Sequence, residues 1–265
     1  MDDDRVELAG VKETMLFTLY CRDRDNRSRQ PVLGDSHASR IIDSVYDRIP
    51  LKLRIASGDR YVVTLRARRL DGWTREFLAT NPDAVVLHLA CGLDSRAFRL
   101  DVPATVDWID LDFPEIIELR RQLYPPRPGY RVIAASVTDP DWLTDLPAGR
   151  PLLVIAEGLL MYLPVSEVKA LLHRLTERFP KGQMIFDVIA PWIARVGSLS
   201  GYRMYWGIDD PHQVEKWNPR LSLMDDAPIF CDYAEVPLNR YRVPYHLLSK
   251  VTGFRNAFRP LRFTF

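Results

Sequence analysis

The sequence predicts an α/β protein built on a mostly parallel sheet with helices on both faces. Three observations carry that expectation. From Val85 onward, short apolar runs rich in β-branched residues alternate with longer segments of helical periodicity. The first run, Val85-Val86-Leu87-His88-Leu89, breaks at three small residues, Ala90-Cys91-Gly92, and polar Asp94-Ser95-Arg96 follow. The second, Val106-Asp107-Trp108-Ile109-Asp110-Leu111, ends on the carboxylate of Asp112. Small residues at the carboxyl end of a first parallel strand let a ligand approach the backbone, and an acid at the tip of the second can hold ribose hydroxyls.

Taken in order, the first eighty residues read as mostly helical. Val11, Met15, Phe17, Leu19 and Tyr20 mark a first helix, and its pattern dissolves in the charge-dense Arg22-Asp23-Arg24-Asp25-Asn26-Arg27. Such a run reads as a solvated loop, with an inward Arg22 as the alternative. Ile41, Ile42, Val45 and Ile49 mark a second helix ended by Pro50, and Val63, Leu65, Leu70, Trp73 and Phe77 a third over 61–79. Strands are expected at 85–90, 106–111, 130–135, 152–157 and 183–189. Pro114 opens the helix after the second strand, and Val168, Leu171, Leu172 and Leu175 line one face of the helix after the fourth. Residues 191–245 are aromatic and weakly periodic, with Trp192, Tyr202, Tyr205, Trp206, Trp217, Phe230, Tyr233, Tyr241 and Tyr245. They fit either a wall over a pocket or a subdomain packing its own rings. The alternation in Leu261-Arg262-Phe263-Thr264-Phe265 reads as a final strand.

Bulk properties narrow the function classes. The 265 residues, 47% hydrophobic and 27% charged, suit a globular protein with a substantial core. A net charge of +1 makes no electrostatic case for nucleic acid or an anionic membrane. No apolar run is long enough to span a bilayer, and the acidic start Met1-Asp2-Asp3-Asp4 is unlike a secretory leader. Cys21, Cys91 and Cys231 lie far apart in the sequence, a pattern that fits neither a disulfide framework nor a zinc knuckle. The expectation is a cytoplasmic protein with free thiols and no metal.

Several motifs together resemble the leucine carboxyl methyltransferase superfamily. They are Val86-x-x-Leu89-x-x-Gly92-Leu93-Asp94-Ser95-Arg96-x-Phe98-Arg99, Trp108-x-x-x-Asp112-x-Pro114 and Glu157-Gly158-Leu159-x-x-Tyr162-Leu163. Gly10-Val11-Lys12-Glu13-Thr14, Phe186-Asp187, Trp206-Gly207-Ile208-Asp209-Asp210 and the closing Arg-Phe strand are also similar to family landmarks. The bacterial branch is most similar: S-adenosylmethionine-dependent O-methyltransferases of polyketide-type biosynthesis. The resemblance implies a Rossmann-like class I methyltransferase fold, a seven-stranded sheet with its last strand antiparallel. It implies one methyltransferase domain over 1–265: a helical cap at 1–82, a cofactor-binding core at 83–190, a substrate-side insertion at 191–250 and a closing strand at 251–265.

Carried onto this sequence, the resemblance places Ala90 and Gly92 against S-adenosylmethionine, and Asp112 on its ribose hydroxyls. It places Arg66 on the cofactor's carboxylate, Glu157 beside its methionine moiety, and Tyr162 at the boundary with the acceptor. The residue types suit these roles. A guanidinium fork matches a carboxylate, Asp94 or Glu157 can accept from an ammonium, and Asp112 can accept from two adjacent hydroxyls. Two departures stand out. Ala90 replaces a frequent Gly, at little cost if its φ is negative. Ser136 stands where many relatives carry an Asp for the adenine amino group, and Asp139 in the next loop is a candidate substitute.

Bland alternatives accompany each residue. Asp94 and Asp112 could cap helices, Arg66 could pair with a surface carboxylate, and His88 and Cys91 read as packing residues. Glu157 reads as an unpaired carboxylate that needs a functional reason. A carboxylate acceptor would need no general base; a hydroxyl would, with His212 or His246 as first candidates. The expected activity is methyl transfer to a small-molecule acceptor, with homo-oligomerisation left open. Alternatives are a protein C-terminal carboxyl methyltransferase, which the N-terminal motifs fit less well, and a non-catalytic partner-binding protein of the same fold. A nicotinamide-dependent dehydrogenase would want G-x-G-x-x-G, and Ala90-Cys91-Gly92-Leu93-Asp94-Ser95 lacks two of those glycines.

Overall fold

A computed structural model describes residues 13–45, 55, 57–199 and 203–265. Helices α1 (Glu13–Asn26), α2 (Ser36–Val45) and α3 (Tyr61–Thr80) precede β1 (Val85–Leu89). A short helix α4 (Arg96–Arg99), β2 (Asp107–Asp112), α5 (Pro114–Leu123), β3 (Tyr130–Ala134) and β4 (Leu152–Ala156) follow. Next come α6 (Val165–Arg178), β5 (Gly182–Ile189), α7 (Pro191–Leu199), α8 (Gln213–Trp217) and β6 (Ser222–Asp226). The chain closes with α9 (Asn239–Ser249), α10 (Thr252–Arg255) and β7 (Phe258–Thr264). The seven strands form one sheet in the order β3-β2-β1-β4-β5-β7-β6, and β7 runs antiparallel to both of its neighbours. Among the described residues, no helix is long and apolar enough to cross a membrane.

Strand side chains alternate between two packed layers. Val85, Leu87 and Leu89 of β1 join a cluster with Val168, Leu171, Leu172 and Leu175 of α6. Val86 joins Leu70, Trp73, Phe77 and Leu78 of α3 on the opposite face. Both faces of β1 are therefore buried, which is why it reads as a continuous apolar run. His88 shares the α3 face and is 2% exposed.

Register places the site. His88 pairs with Ile155 of β4, and Leu89 pairs with Leu111 of β2. Each pairing, carried past the strand ends, sets Ala90 between Asp112 and Glu157. The strand order reverses direction between β1 and β4, the crevice where open parallel sheets bind ligands.

Three local expectations are corrected. The charge run at 22–27 is not a loop: α1 continues to Asn26, and Arg22, Asp23 and Asp25 are buried. Each has partners that offset its desolvation; Asp25, for example, accepts the backbone N–H groups of Val32, Leu33 and Gly34. The sixth strand, Ser222–Asp226, left no alternating pattern because it is an exposed edge, where acidic Asp225 and Asp226 discourage further pairing. The closing segment 251–265 begins as helix α10 and becomes strand only at Phe258. Of the two readings of the aromatic insertion, rings packing one another are seen in Phe230 against Tyr245 at 4.8 Å and Trp206 against Trp217 at 5.4 Å, while Tyr241 packs on Tyr61 of α3 at 5.4 Å. Ile49, Pro50, Tyr202 and the Gly10-Val11-Lys12 part of the N-terminal landmark lie outside the described residues.

Candidate active site

At the carboxyl end of β1 the chain turns twice through the left-handed region, at Ala90 (φ 48°) and Gly92 (φ 51°). Ala90 does not have the negative φ that would make its side chain harmless. Left-handed backbone costs an L-residue roughly 1–2 kcal/mol, so the turn holds strain where a glycine would hold none. A Cβ on Gly92 would lie 3.2 Å from Met15 Cγ, so α1 closes directly over the turn. Asp112 ties the turn to β2: its Oδ2 accepts the Gly92 N–H at 2.7 Å and its Oδ1 the Phe113 N–H at 2.8 Å. The helix N-cap is Phe113, so Asp112 faces the turn and is not simply a cap.

Beside the turn lies a buried ion cluster. Glu157, just past β4, accepts from three guanidinium groups: Arg22 at 3.1 Å, Arg66 at 3.2 Å and Arg96 at 2.6 Å. It is therefore paired, not the unpaired carboxylate expected. Burial opposes its ionisation, but Arg22, Arg66 and Arg96 outweigh it and hold its pKa at about 2. Asp94 ion-pairs with Arg22 at 2.8 Å and with Arg99, and also accepts the Arg96 N–H at 2.7 Å from one residue before the helix N-cap, Ser95. Burial works against that carboxylate too, yet Arg22, Arg96 and Arg99 keep it well below the usual range.

Two further carboxylates brace the arginines. Asp71 of α3 takes a bidentate fork from Arg99, both bonds at 2.8 Å, and accepts from Arg96 at 2.6 Å. Asp187 of β5 accepts from Arg66 at 3.0 Å and from the Gly158 N–H at 2.5 Å. Burial dominates at Asp187 and raises its pKa despite Arg66. Arg66 thus pairs inside the protein rather than with a surface carboxylate; its Nη2 lies beside Gly158 and takes no carboxylate among the described residues.

Among the described residues, four guanidinium groups (Arg22, Arg66, Arg96, Arg99) meet five carboxylates (Asp35, Asp71, Asp94, Glu157, Asp187). The excess negative charge, a buried Arg22 Nε with no acceptor, and the uncommitted Arg66 arm suit a ligand carrying both ammonium and carboxylate groups.

The remaining expected residues separate. Ser136 follows β3, whose Ala134 pairs with Asp112, so it lies near the strand-two tip; its hydroxyl is 2.8 Å from Thr138 Oγ1. Asp139 is exposed and accepts the Asp141 N–H at 2.9 Å, so it caps a turn of its own. Tyr162 is half-buried and packs beside Met161, Ile189 and Ala194, where the insertion begins. His212 is exposed and bonded to Glu215 at 2.7 Å, while His246 packs on Tyr233 at 4.4 Å; neither joins the cluster. Burial is the largest influence on Cys91 and pushes its thiol well above the usual range, consistent with packing.

Sequence reasoning missed Arg22, Arg96, Arg99 and Asp71 as site residues. The only signal was the density of arginine in the motif around Gly92 and the inward alternative for Arg22.

Comparison with known proteins gives a consistent picture. The model of the leucine carboxyl methyltransferase family matches residues 22–176. The tetracenomycin polyketide synthesis O-methyltransferase of Streptomyces glaucescens is 45% identical over 274 residues, covering 99% of both chains. An S-adenosyl-L-methionine-dependent methyltransferase of Gibberella zeae is 35% identical, over 89% of this chain and 88% of that one. Among solved structures, magnesium protoporphyrin IX methyltransferase from Synechocystis, with bound SAH, superposes with a TM-score of 0.53 at 14% identity. It covers 92% of this chain and 98% of that one, a likeness of fold alone.

Proposed function

Because the chain belongs to the leucine carboxyl methyltransferase family, it is an S-adenosylmethionine-dependent O-methyltransferase, and we propose that its acceptor is a carboxylate, or else a hydroxyl, of a small aromatic, polyketide-type metabolite. The observation that carries the reading is the buried cluster of Arg22, Arg66, Asp94 and Glu157 beside the Ala90–Gly92 turn. In this reading the whole chain, residues 1–265, is a single cytoplasmic methyltransferase domain.

Each residue then has a task. Asp112 accepts from the ribose hydroxyls with oxygens that can each take more than one hydrogen bond. Ala90 and Gly92 bring backbone close to the cofactor, and Ser136 lies on the adenine side. Asp94 and Glu157 face the ammonium, and the open arm of Arg66 takes the carboxylate. Tyr162 borders the acceptor. The bound cofactor supplies an activated methyl group on a sulfonium centre.

A carboxylate acceptor is already ionised at neutral pH. The protein has only to align its oxygen and exclude water, and such positioning supplies roughly 7–11 kcal/mol of barrier reduction. That fits a site rich in fixed ion pairs, beside which His88 is buried between Arg96 and Asp110.

The test is transfer of radiolabelled methyl from S-adenosylmethionine to a panel of aromatic acids and matched phenols. Label on acids that mild alkali releases marks an ester and supports the carboxylate acceptor. Alkali-stable label on phenols would reassign the acceptor to a hydroxyl. No transfer to any member, by protein that binds S-adenosylhomocysteine, would sink the aromatic small-molecule assignment.

A further inference from the structure

The backbone of the glycine turn is held from behind by one helix. Gly92, Leu93 and Asp94 present three successive carbonyls to α5 and its C-cap. Arg120 Nη1 donates to Gly92 O at 2.8 Å and to Asp94 O at 2.9 Å, and Tyr124 Oη donates to Leu93 O at 2.9 Å. The two donors are one helical turn apart, and the Arg120 guanidinium lies 4.7 Å over the Tyr124 ring. Arg120 is itself fixed by its ion pair with Asp110 of β2 and by the Tyr130 hydroxyl. From the other side, Asp112 holds the Gly92 N–H. Both peptide planes at Gly92 are thus tied to the unit formed by β2 and α5, which also carries the ribose-side carboxylate.

These ties answer a local need. The turn contains two left-handed residues, one of them Ala90, so it is not the conformation this stretch would choose alone. Arg120 is 1% and Tyr124 5% exposed, so their bonds to the turn carbonyls are made out of water. Buried carbonyls without donors are strongly disfavoured, and these oxygens would repel the oxygen-rich ligand if they rotated toward it.

We propose that Arg120 and Tyr124 are positioning residues for the cofactor: by anchoring the carbonyls of residues 92–94 in the α5 layer, they hold the turn in its binding shape before the ligand arrives. The inference rests on the reading that this turn contacts S-adenosylmethionine.

Tyr124→Phe removes one hydroxyl and keeps the ring. Its expected effect is a rise of about two- to tenfold in the S-adenosylhomocysteine Kd and in the cofactor KM, the range of one neutral hydrogen bond. With both substrates saturating, kcat should stay within about twofold of wild type, because the chemical step uses none of these atoms. Arg120→Lys keeps a charge beside Asp110 but replaces the planar fork that reaches the carbonyls with one nitrogen and Asp110 with the other by a single nitrogen, and should weaken cofactor binding further. Thr176→Val is the matched control: it also deletes a buried hydroxyl, one that accepts from Asn218 at 2.9 Å. It should lower Tm without moving the cofactor Kd. If Tyr124→Phe binds cofactor as wild type does, or if Thr176→Val weakens it equally, the positioning role is overturned. Wild-type protein that binds no S-adenosylhomocysteine would instead overturn the functional reading beneath it.

Discussion

Arg22 and Glu157 lie 135 residues apart in the chain and 3.1 Å apart in space. The same Arg22 nitrogen reaches Asp94 at 2.8 Å, so one guanidinium from the first helix joins the acids that follow β1 and β4. The first helix is thereby bonded to the carboxyl ends of β1 and β4. Loss of one member should be felt in both stability and binding.

Glu157→Gln removes the charge that three arginines share. Breaking a buried pair from one side destabilises by about 3–5 kcal/mol, and at this size about 1 kcal/mol moves Tm by roughly 2–4 °C. A fall of about 6 °C or more by calorimetry, with lost S-adenosylhomocysteine binding, is expected. A variant as stable as wild type would show that the cluster holds nothing together.

Acid should unfold the protein through this cluster. The Glu157 pKa is depressed from its ordinary 4.5 to about 2, so its contribution is complete above 4.5 and is lost as pH falls toward 2. Asp94 is shifted the same way; Asp187 is raised by burial and opposes them, its cost relieved as pH falls through its raised pKa toward the ordinary 3.8. Tm should therefore be nearly flat from pH 7 to 5 and decline below about 4.5. Glu157→Gln should show a shallower acid decline, and an identical slope in the two proteins would contradict the assignment.

Ala90→Gly should stabilise by up to about 1 kcal/mol, since left-handed strain of roughly 1–2 kcal/mol is relieved against a smaller loss from the freer unfolded chain. Gly92→Ala should do the reverse, because it adds that strain and a Cβ 3.2 Å from Met15. Urea midpoints of the two variants, moving in opposite directions from wild type, are the check.

Asp112→Ala should weaken S-adenosylhomocysteine by about 10- to 100-fold, the range for charge-assisted hydrogen bonds. In a thermal-shift assay, ligand at about 100 times its Kd adds roughly 2.7 kcal/mol to wild type, a rise of about 5–10 °C. The rise should be blunted in the variant and missing with NAD. Equal shifts in both proteins would remove Asp112 from the site.

His212→Ala should leave kcat within about twofold of wild type, because the imidazole is exposed and engaged with Glu215, outside the cluster. A loss of more than tenfold would bring back a general base and favour a hydroxyl acceptor.

Much of this molecule was legible in one dimension. Five parallel strands, the glycine turn, Asp112 and Glu157 all announce themselves through local pattern, because apolar periodicity and turn residues act over a few neighbours. The run Arg22-Asp23-Arg24-Asp25 was misread for the same reason. A local rule sees charge density and infers solvent, whereas burial here depends on partners supplied by Asp94, Glu157 and the loop at 32–34. The edge strand Ser222–Asp226 was invisible because only Leu223 of it packs on the core, and a single inward residue leaves no alternation to read.

By itself, then, the amino-acid sequence determined the α/β order, the turn after β1, the acids that follow the strands and the family of the chain. Tertiary structure decided which arginines enter the site, that Ala90 sits at positive φ, and that Arg120 and Tyr124 grip the turn. The physical reason is desolvation. A charged or hydrogen-bonding group is buried only where distant partners compensate it, and those partners are fixed by the packing of helices against the sheet.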